Sequence, residues 1–300
     1  MPQHTHARAH SVAAHLTEAP EKASDDMIAS KSPHSTVTYV FSSYIAACWR
    51  KITVIWSKNL VSHFLSLTFN NVDGEIFYSF KIDLKPWLFW SKKGSKPLDI
   101  EGFHVEIFWD LRSAKFGTSP EPLSDFYVAV VSEDEVALLV GDIKKKAYRR
   151  TKTRPALVEP ILHHKKEYVF AKKSFSTRAK FEERKQDSEI VVESSTSGKE
   201  PEMWISIDGI VVVHVRNLHW KFRGNQTVVM NTQHVQIFWD VHDWLFCNCG
   251  SGHGLFIFKP CSPEDSDIEG ADSDGSRYFS TKSSSSPPEF CLFLHAWKIE

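Results

Sequence analysis

The sequence has little cysteine and little methionine, and it has no long apolar run. Its five cysteines (Cys48, Cys247, Cys249, Cys261 and Cys291) form an odd, unpatterned set. That excludes a disulfide scaffold and fits a reducing, intracellular compartment. No stretch of about 18 apolar residues occurs, so a membrane-spanning helix is not expected. The opening residues, MPQHTHARAHSVAAHL, lack the apolar core of a signal peptide, and the expected location is the cytoplasm, extending to the nucleus. The sequon Asn225-Gln226-Thr227 would then go unused. Charge of one sign is lacking too: 36 Lys and Arg stand against 37 Asp and Glu, a formal charge of -1. With 42% hydrophobic and 24% charged residues in 300, the composition excludes a chain disordered throughout, a collagen-like repeat and a bulk polycation. One large or two small domains are allowed. There is no phosphate-binding loop, no G-x-S-x-G elbow and no H-E-x-x-H motif. The expectation is a non-enzymatic protein with no catalytic residues, no metal and no cofactor.

What the chain does have is aromatic: 10 Trp, 21 Phe and 7 Tyr. In a β protein such residues at alternating positions fill cores and make cross-strand pairs more often than they stack on sugars or bases. From Thr36 onward the runs KITVIW (51–56), HFLSLTF (63–69), EIFYSFKIDL (75–84) and HVEIFWD (104–110) are β-branched and aromatic with period-two alternation, which reads as strands. The same texture returns in 189–195, 203–218 and 226–240. Breaks fall at Asn70–Gly74, Lys93-Gly94 and Glu101-Gly102, where strands should turn. No amphipathic helix of three turns is evident. The segment 1–35, rich in His, Ala, Ser, Glu and Lys, reads as a disordered arm.

An internal repeat organises the rest. His104–Asp110 (HVEIFWD) recurs as His234–Asp240 (HVQIFWD), six of seven identical at an offset of 130, and Tyr39-Val40-Phe41 recurs as Tyr168-Val169-Phe170. Between these anchors LKPWLFWSKKG (84–94) matches LHWKFRGN (218–225) in kind, a Trp and an aromatic, basic residues, then a turn Gly. The expected fold is mainly β, an antiparallel sandwich or closed barrel built from two sequence-related repeats, as a single domain over 36–300. Repeat one covers 36–143, a basic linker 144–166, and repeat two 167–300. GLFIFKP (254–260) and FCLFLHAW (290–297) read as two arms of one hairpin, and the acidic, Ser-rich tract 262–288 between them as a disordered loop. Within each HV(E/Q)IFWD strand, Val, Ile and Trp fall on the core face.

Candidate chemistry is sparse. His104 and Asp110, like His234 and Asp240, stand at opposite ends of one strand, about 20 Å apart at 3.3 Å per residue, so neither pair shares a metal. The aspartates fit better as strand-ending acceptors of turn hydrogen bonds. Cys247-Asn248-Cys249 with His253 and Cys261 is tighter than the usual C-x2-C zinc spacing and reads as a glycine-rich loop. The sharpest signal is the linker: Lys144, Lys145, Lys146, Arg149, Arg150, Lys152 and Arg154 crowd twelve residues with no acid, and Lys165-Lys166, Lys172 and Lys173 continue it. Such a run attracts an anionic membrane surface, a phosphoprotein or a nucleic acid. Thr151 after two arginines and Ser174 after two lysines resemble basophilic-kinase sites, where phosphate would lower the local charge. The alternative is a barrel with an aromatic-lined pocket for a small apolar or sugar ligand.

The segments KITVIWSKNL (51–60), IDLKPWLFWSKKGSK (82–96), VEIFWDLRSAKF (105–116), SPEPLSDFYVAVVSEDEVALLVGD (119–142), GKEPEMWISIDGIVVVHVRNLHWKFRGNQTV (198–228) and QIFWDVHDWLF (236–246) together carry a family resemblance. The chain resembles the plant-specific family named domain of unknown function eight-six-eight, across about 36–260 and the last strand. The resemblance implies a land-plant source and brings no activity or catalytic residues with it.

Overall fold

The computed structural model describes residues 34–60, 62–70, 74–84, 89–181, 187–195, 200–230, 233–247, 252–261 and 290–298. The chain divides into Met1–Lys31 and Ser32–Glu300, and all described residues belong to the second unit. The expected arm, up to residue 33, and the acidic tract 262–288 lie outside the described residues, as does most of the glycine-rich loop.

Strand accounts for 67% of the structure and helix for 7%, so the mainly β expectation holds. Four strands open the first half: β1 (Ser35–Ile45), β2 (Cys48–Lys58), β3 (His63–Asn70) and β4 (Ile76–Asp83). They form an antiparallel meander. Alternation explains them: Ile52, Val54 and Trp56 on β2 and Leu65, Leu67 and Phe69 on β3 are all buried, with partly or fully exposed residues between. Next come β5 (Lys93–Ile100), β6 (Phe103–Asp110), the short pair β7 (Lys115–Phe116) and β8 (Pro122–Ser124), then β9 (Tyr127–Ser132) and β10 (Glu135–Gly141). The β5–β6 turn places Glu101 and Gly102, and the β9–β10 turn Glu133 and Asp134, at positive φ, the backbone of a tight hairpin. A helix, α1 (Lys144–Thr151), and β11 (Arg154–Pro155) follow, β11 lying parallel to β10.

The second half starts with β12 (Ile161–Phe170) and runs through β13 (Ser174–Ala179), β14 (Ser188–Ser195), β15 (Glu202–Ile207) and β16 (Ile210–Val215). It ends with β17 (Arg223–Met230), β18 (Gln233–Asp240), α2 (His242–Leu245), β19 (His253–Cys261) and β20 (Cys291–Trp297). β19 and β20 pair antiparallel, so they are two arms of one ladder as expected, and β20 also pairs parallel with β12. The main sheets are β17-β18-β19-β20-β12-β1-β2-β3-β4, β11-β10-β9-β6-β5 and β13-β14-β15-β16. None of them closes, which corrects the barrel alternative: β17 and β4 end the large sheet on opposite edges.

Two cores form on the large sheet. One joins Val37, Ile52, Val54, Trp56, Leu65 and Leu67 to Ile100, Val105, Ile107, Val128 and Val130 of the five-stranded sheet. The other joins Val235, Ile237, Phe256, Phe258, Leu292 and Leu294 to Ile190, Val192, Ile205 and Val213 of the four-stranded sheet. Val105, Ile107 and Trp109, and likewise Val235, Ile237 and Trp239, face these cores as their alternation requires.

One constellation occurs in both. Trp109 Nε1 donates to the Ser91 carbonyl at 2.8 Å, and Trp239 Nε1 to the Lys221 carbonyl at 3.1 Å. Leu111 N donates to the Lys92 carbonyl at 2.7 Å and Val241 N to the Phe222 carbonyl at 2.9 Å. Gly94 sits opposite Trp109, and Gly224 opposite Trp239. These glycines were expected to turn the chain, but they lie inside β5 and β17. A Cβ there would stand 2.7 Å and 2.5 Å from the indole Cζ2, so the absence of a side chain lets each Trp ring lie flat on its neighbouring strand.

Candidate functional site

The linker is not an open connection. Eight of its residues form α1, although an isolated helix of this length is unstable in water. The sheet beneath holds it: Ala147 is fully buried against Phe108, Tyr127, Ala129 and Val136, with Ile143 and Tyr148 alongside. Both faces of β6 are therefore covered, the second by this helix. Two cations are spent on the fold. Lys146 Nζ lies 2.9 Å from Asp110 Oδ2, and Arg154 lies 2.7 Å from Glu135 Oε1. Burial would raise the Asp110 carboxyl, but hydrogen bonds from Arg112 and Lys146 outweigh it and hold the group far below the usual carboxylate range. Asp110 also accepts from Arg112 N at 3.3 Å, the turn role expected of it.

Lys144, Lys145, Arg149, Arg150 and Lys152 are exposed and have no ion-pair partner among the described residues. The helix dipole favours Arg149, Arg150 and Lys152 at the C-terminal end, but not the two lysines of the first turn. The first turn holds no acid and no capping side chain, so Lys144 and Lys145 face the positive end of the dipole. Lys145 and Arg149, Lys146 and Arg150, and Lys146 and Arg149 repel at helical spacing, together costing about 1 kcal/mol. Thr151 is half-buried: its hydroxyl donates to the Tyr148 carbonyl at 3.3 Å and accepts from Thr153 at 2.8 Å.

The other basic residues do not extend this patch. Lys172 and Lys173 are exposed between β12 and β13, beyond the far end of β12 from the residue where the chain enters it. Ser174 is exposed on β13, an edge strand. Lys165, expected to add to the surface charge, is buried at 2% exposure. On a strand, Lys165 and Glu167 share one face and Lys166 and Tyr168 the other. The inward pair sits at the seam where β12 joins β1. Lys165 Nζ donates to Glu121 Oε1 at 2.8 Å and to the Arg178 carbonyl at 2.7 Å, and lies 2.7 Å from Glu167 Oε1. The Tyr39 hydroxyl donates to Glu121 Oε2, and the Thr177 hydroxyl to Glu167. Burial raises the Tyr39 phenol and the Glu167 carboxyl, while Tyr39, Glu167 and Glu121 together hold Lys165 above its ordinary value despite burial. The three ammonium protons are all used, so the cluster offers no position to a reactant. It ties the halves together. Period-two alternation in β12 signals its inward charges; the Glu121 partner, 44 residues away, has no local signal.

Other candidates are plain. Cys247 is disulfide-bonded, so its sulfur is not available as a zinc thiolate. Among the described residues no three His, Cys, Asp or Glu converge on a metal position, and no helix is long and apolar enough to cross a membrane. A cleft of about 200 Å³ lined by His63, Leu84, Lys92, Leu111 and Phe116 is smaller than the roughly 300 Å³ at which ligand pockets begin.

Comparison with known proteins gives a family and no activity. The chain belongs to a family of plant proteins of unknown function (DUF868), whose model matches residues 32–298. No curated protein and no solved structure matches it.

Proposed function

We propose that this family member is an intracellular, non-enzymatic adaptor whose basic helix α1 engages an anionic partner. The observation that carries this reading is the set of five exposed cations, Lys144, Lys145, Arg149, Arg150 and Lys152, on and at the end of one helix, with no ion-pair partner among the described residues. The dipole does not account for Lys144 and Lys145 in the first turn, and a polyanion would relieve the like-charge repulsion along the helix. Lys172 and Lys173 form a separate, weaker contact for the same kind of partner. Phosphorylation at Ser174, or at Thr151 once its hydroxyl is released, would reduce the attraction.

The same reading treats the body as two sequence-related halves, each a sandwich of two packed sheets, joined by the basic linker 144–166. The matched Trp109 and Trp239 constellations and the two separate cores support it. The intracellular assignment rests on the sequence alone.

The test replaces Lys144, Lys145, Arg149 and Arg150 with glutamine and measures elution from immobilised heparin. The variant should elute at much lower salt than the parent, with an unchanged melting temperature. Equal elution would remove α1 from the reading.

A further inference from the structure

We infer that the anionic partner of α1 is a lipid bilayer, entered by an apolar rim beside the helix; this rests on the reading of α1 given above. The rim consists of four side chains that fold stability leaves outside. Tyr44 is 44% and Trp49 46% exposed on the β1–β2 hairpin, and Leu157 is 79% and Val158 47% exposed just after β11. Tyr44 and Trp49 face each other across the hairpin, ring centroids 6.2 Å apart.

Hydrogen bonds gather these two segments around the β9–β10 hairpin. Ala46 N donates to Ser132 Oγ at 3.3 Å, and Ser43 Oγ donates to the Ala137 carbonyl at 2.7 Å. From the other side Arg154 N donates to the Asp134 carbonyl at 3.3 Å and Leu157 N to Glu135 Oε2 at 3.0 Å. The segment after Val158 enters β12 at Ile161, opposite Ser42 of β1, which brings it back beside the Tyr44 strand. Tyr44, Trp49, Leu157 and Val158 thus crown one end of the first half, the end at which α1 finishes.

The charges there complement an anionic surface. Lys51, Arg149, Arg150 and Lys152 are exposed on or next to this end, and Lys144 and Lys145 begin the same helix; the opposing exposed acids are Asp99, Glu133, Asp134 and Glu159. Glu135 and Glu101 are already paired with Arg154 and Arg50. Phosphates of a nucleic acid would use the cations but have no use for Leu157 and Val158. A bilayer uses both: the aliphatics enter the acyl boundary, Tyr and Trp suit the headgroup level, and cations meet anionic lipid.

The experiment uses the full chain and three probes: phosphatidylcholine vesicles with phosphatidylserine, immobilised heparin and a short DNA duplex. Co-sedimentation should show the parent on the anionic vesicles. Leu157→Ser with Val158→Ser should weaken vesicle binding about tenfold and leave heparin elution unchanged. Brominated acyl chains should quench the parent's Trp fluorescence more than that of Trp49→Phe. Vesicle binding untouched by the double variant, or equal quenching in Trp49→Phe, overturns the bilayer inference. A parent that binds heparin or duplex but no vesicle overturns it while the α1 reading stands. Binding to none of the three ends both.

Discussion

Replacing Lys165 with methionine tests the view that the seam between the halves is held by a closed ionic network. Methionine keeps the volume and removes the charge, leaving Glu121 and Glu167 with no ammonium between them. Lys165 now gives its protons to Glu121, at 2.8 Å, to the Arg178 carbonyl, at 2.7 Å, and to Glu167, at 2.7 Å. Removing one partner of a buried pair costs about 3–5 kcal/mol, because the other charge is left buried and uncompensated. That is a large share of a total stability of roughly 5–15 kcal/mol, and it corresponds to a fall of about 10 °C in Tm. Glu167→Gln should behave differently. Glutamine still accepts from Thr177 and Lys165, and it removes a carboxyl that burial and the neighbouring Glu121 push up. Its cost should stay below about 1 kcal/mol. The pH dependence follows by sign. The raised Tyr39 and Lys165 values favour their protonated forms in the folded state, so their contribution is complete below about pH 10 and lost only as pH rises through those raised values. The raised Glu167 value acts in the same direction at lower pH: its contribution is present below about pH 4.3 and lost as pH rises through the folded value. Urea unfolding at neutral pH, followed by tryptophan fluorescence, measures both variants. A Lys165→Met protein within about 1 kcal/mol of the parent would refute the network as the tie between the halves.

Three further outcomes follow from the same packing. Asp110→Asn should cost about 2 kcal/mol. It should also reduce the loss of stability in acid, since the depressed Asp110 value contributes above about pH 3.9 and fails as pH falls through it. Asp240→Asn, at the matching position but 36% exposed beside Arg223, should cost under about 1 kcal/mol, and equal losses in urea titrations would contradict the contrast. Gly94→Ala and Gly224→Ala should each lower stability by about 1–3 kcal/mol, because the new methyl meets the Trp109 or Trp239 ring; a calorimetric Tm equal to the parent's would refute the close approach. Deleting 290–300 removes Leu292, Leu294 and Ala296 from the core and parts β19 from β12, so this variant should fail to melt cooperatively. Deleting 263–287 should leave Tm unchanged, and equal behaviour of the two truncations would refute a structural last strand.

What the residues reveal beforehand depends on where their neighbours come from. HVEIFWD and HVQIFWD are legible because alternation alone separates Val, Ile and Trp from the other face, and the core accepts that division. Gly94 misleads: glycine after lysine looks like a turn, whereas its reason is the Trp109 ring on the paired strand. β12 is harder still. ILHHKKEYVF carries two lysines and two histidines, enough to look like surface, yet it lies fifth of nine strands, a position possible only because Glu121 and Tyr39 neutralise and cap its inward charges. α1 shows no three-turn pattern, since its hydrophobic support comes from Phe108 and Tyr127 rather than from a stripe of its own. The part of the candidate site readable from sequence was accordingly its charge, which needs no neighbour to be counted. The exposed apolar rim was not readable: Leu157 and Tyr44 have ordinary local contexts, and only the register of β1 with β12 and the bonds to Glu135 and Ala137 bring them to one end. Charge is thus legible from the chain alone, whereas the grouping of exposed apolar residues at one end is a product of the fold.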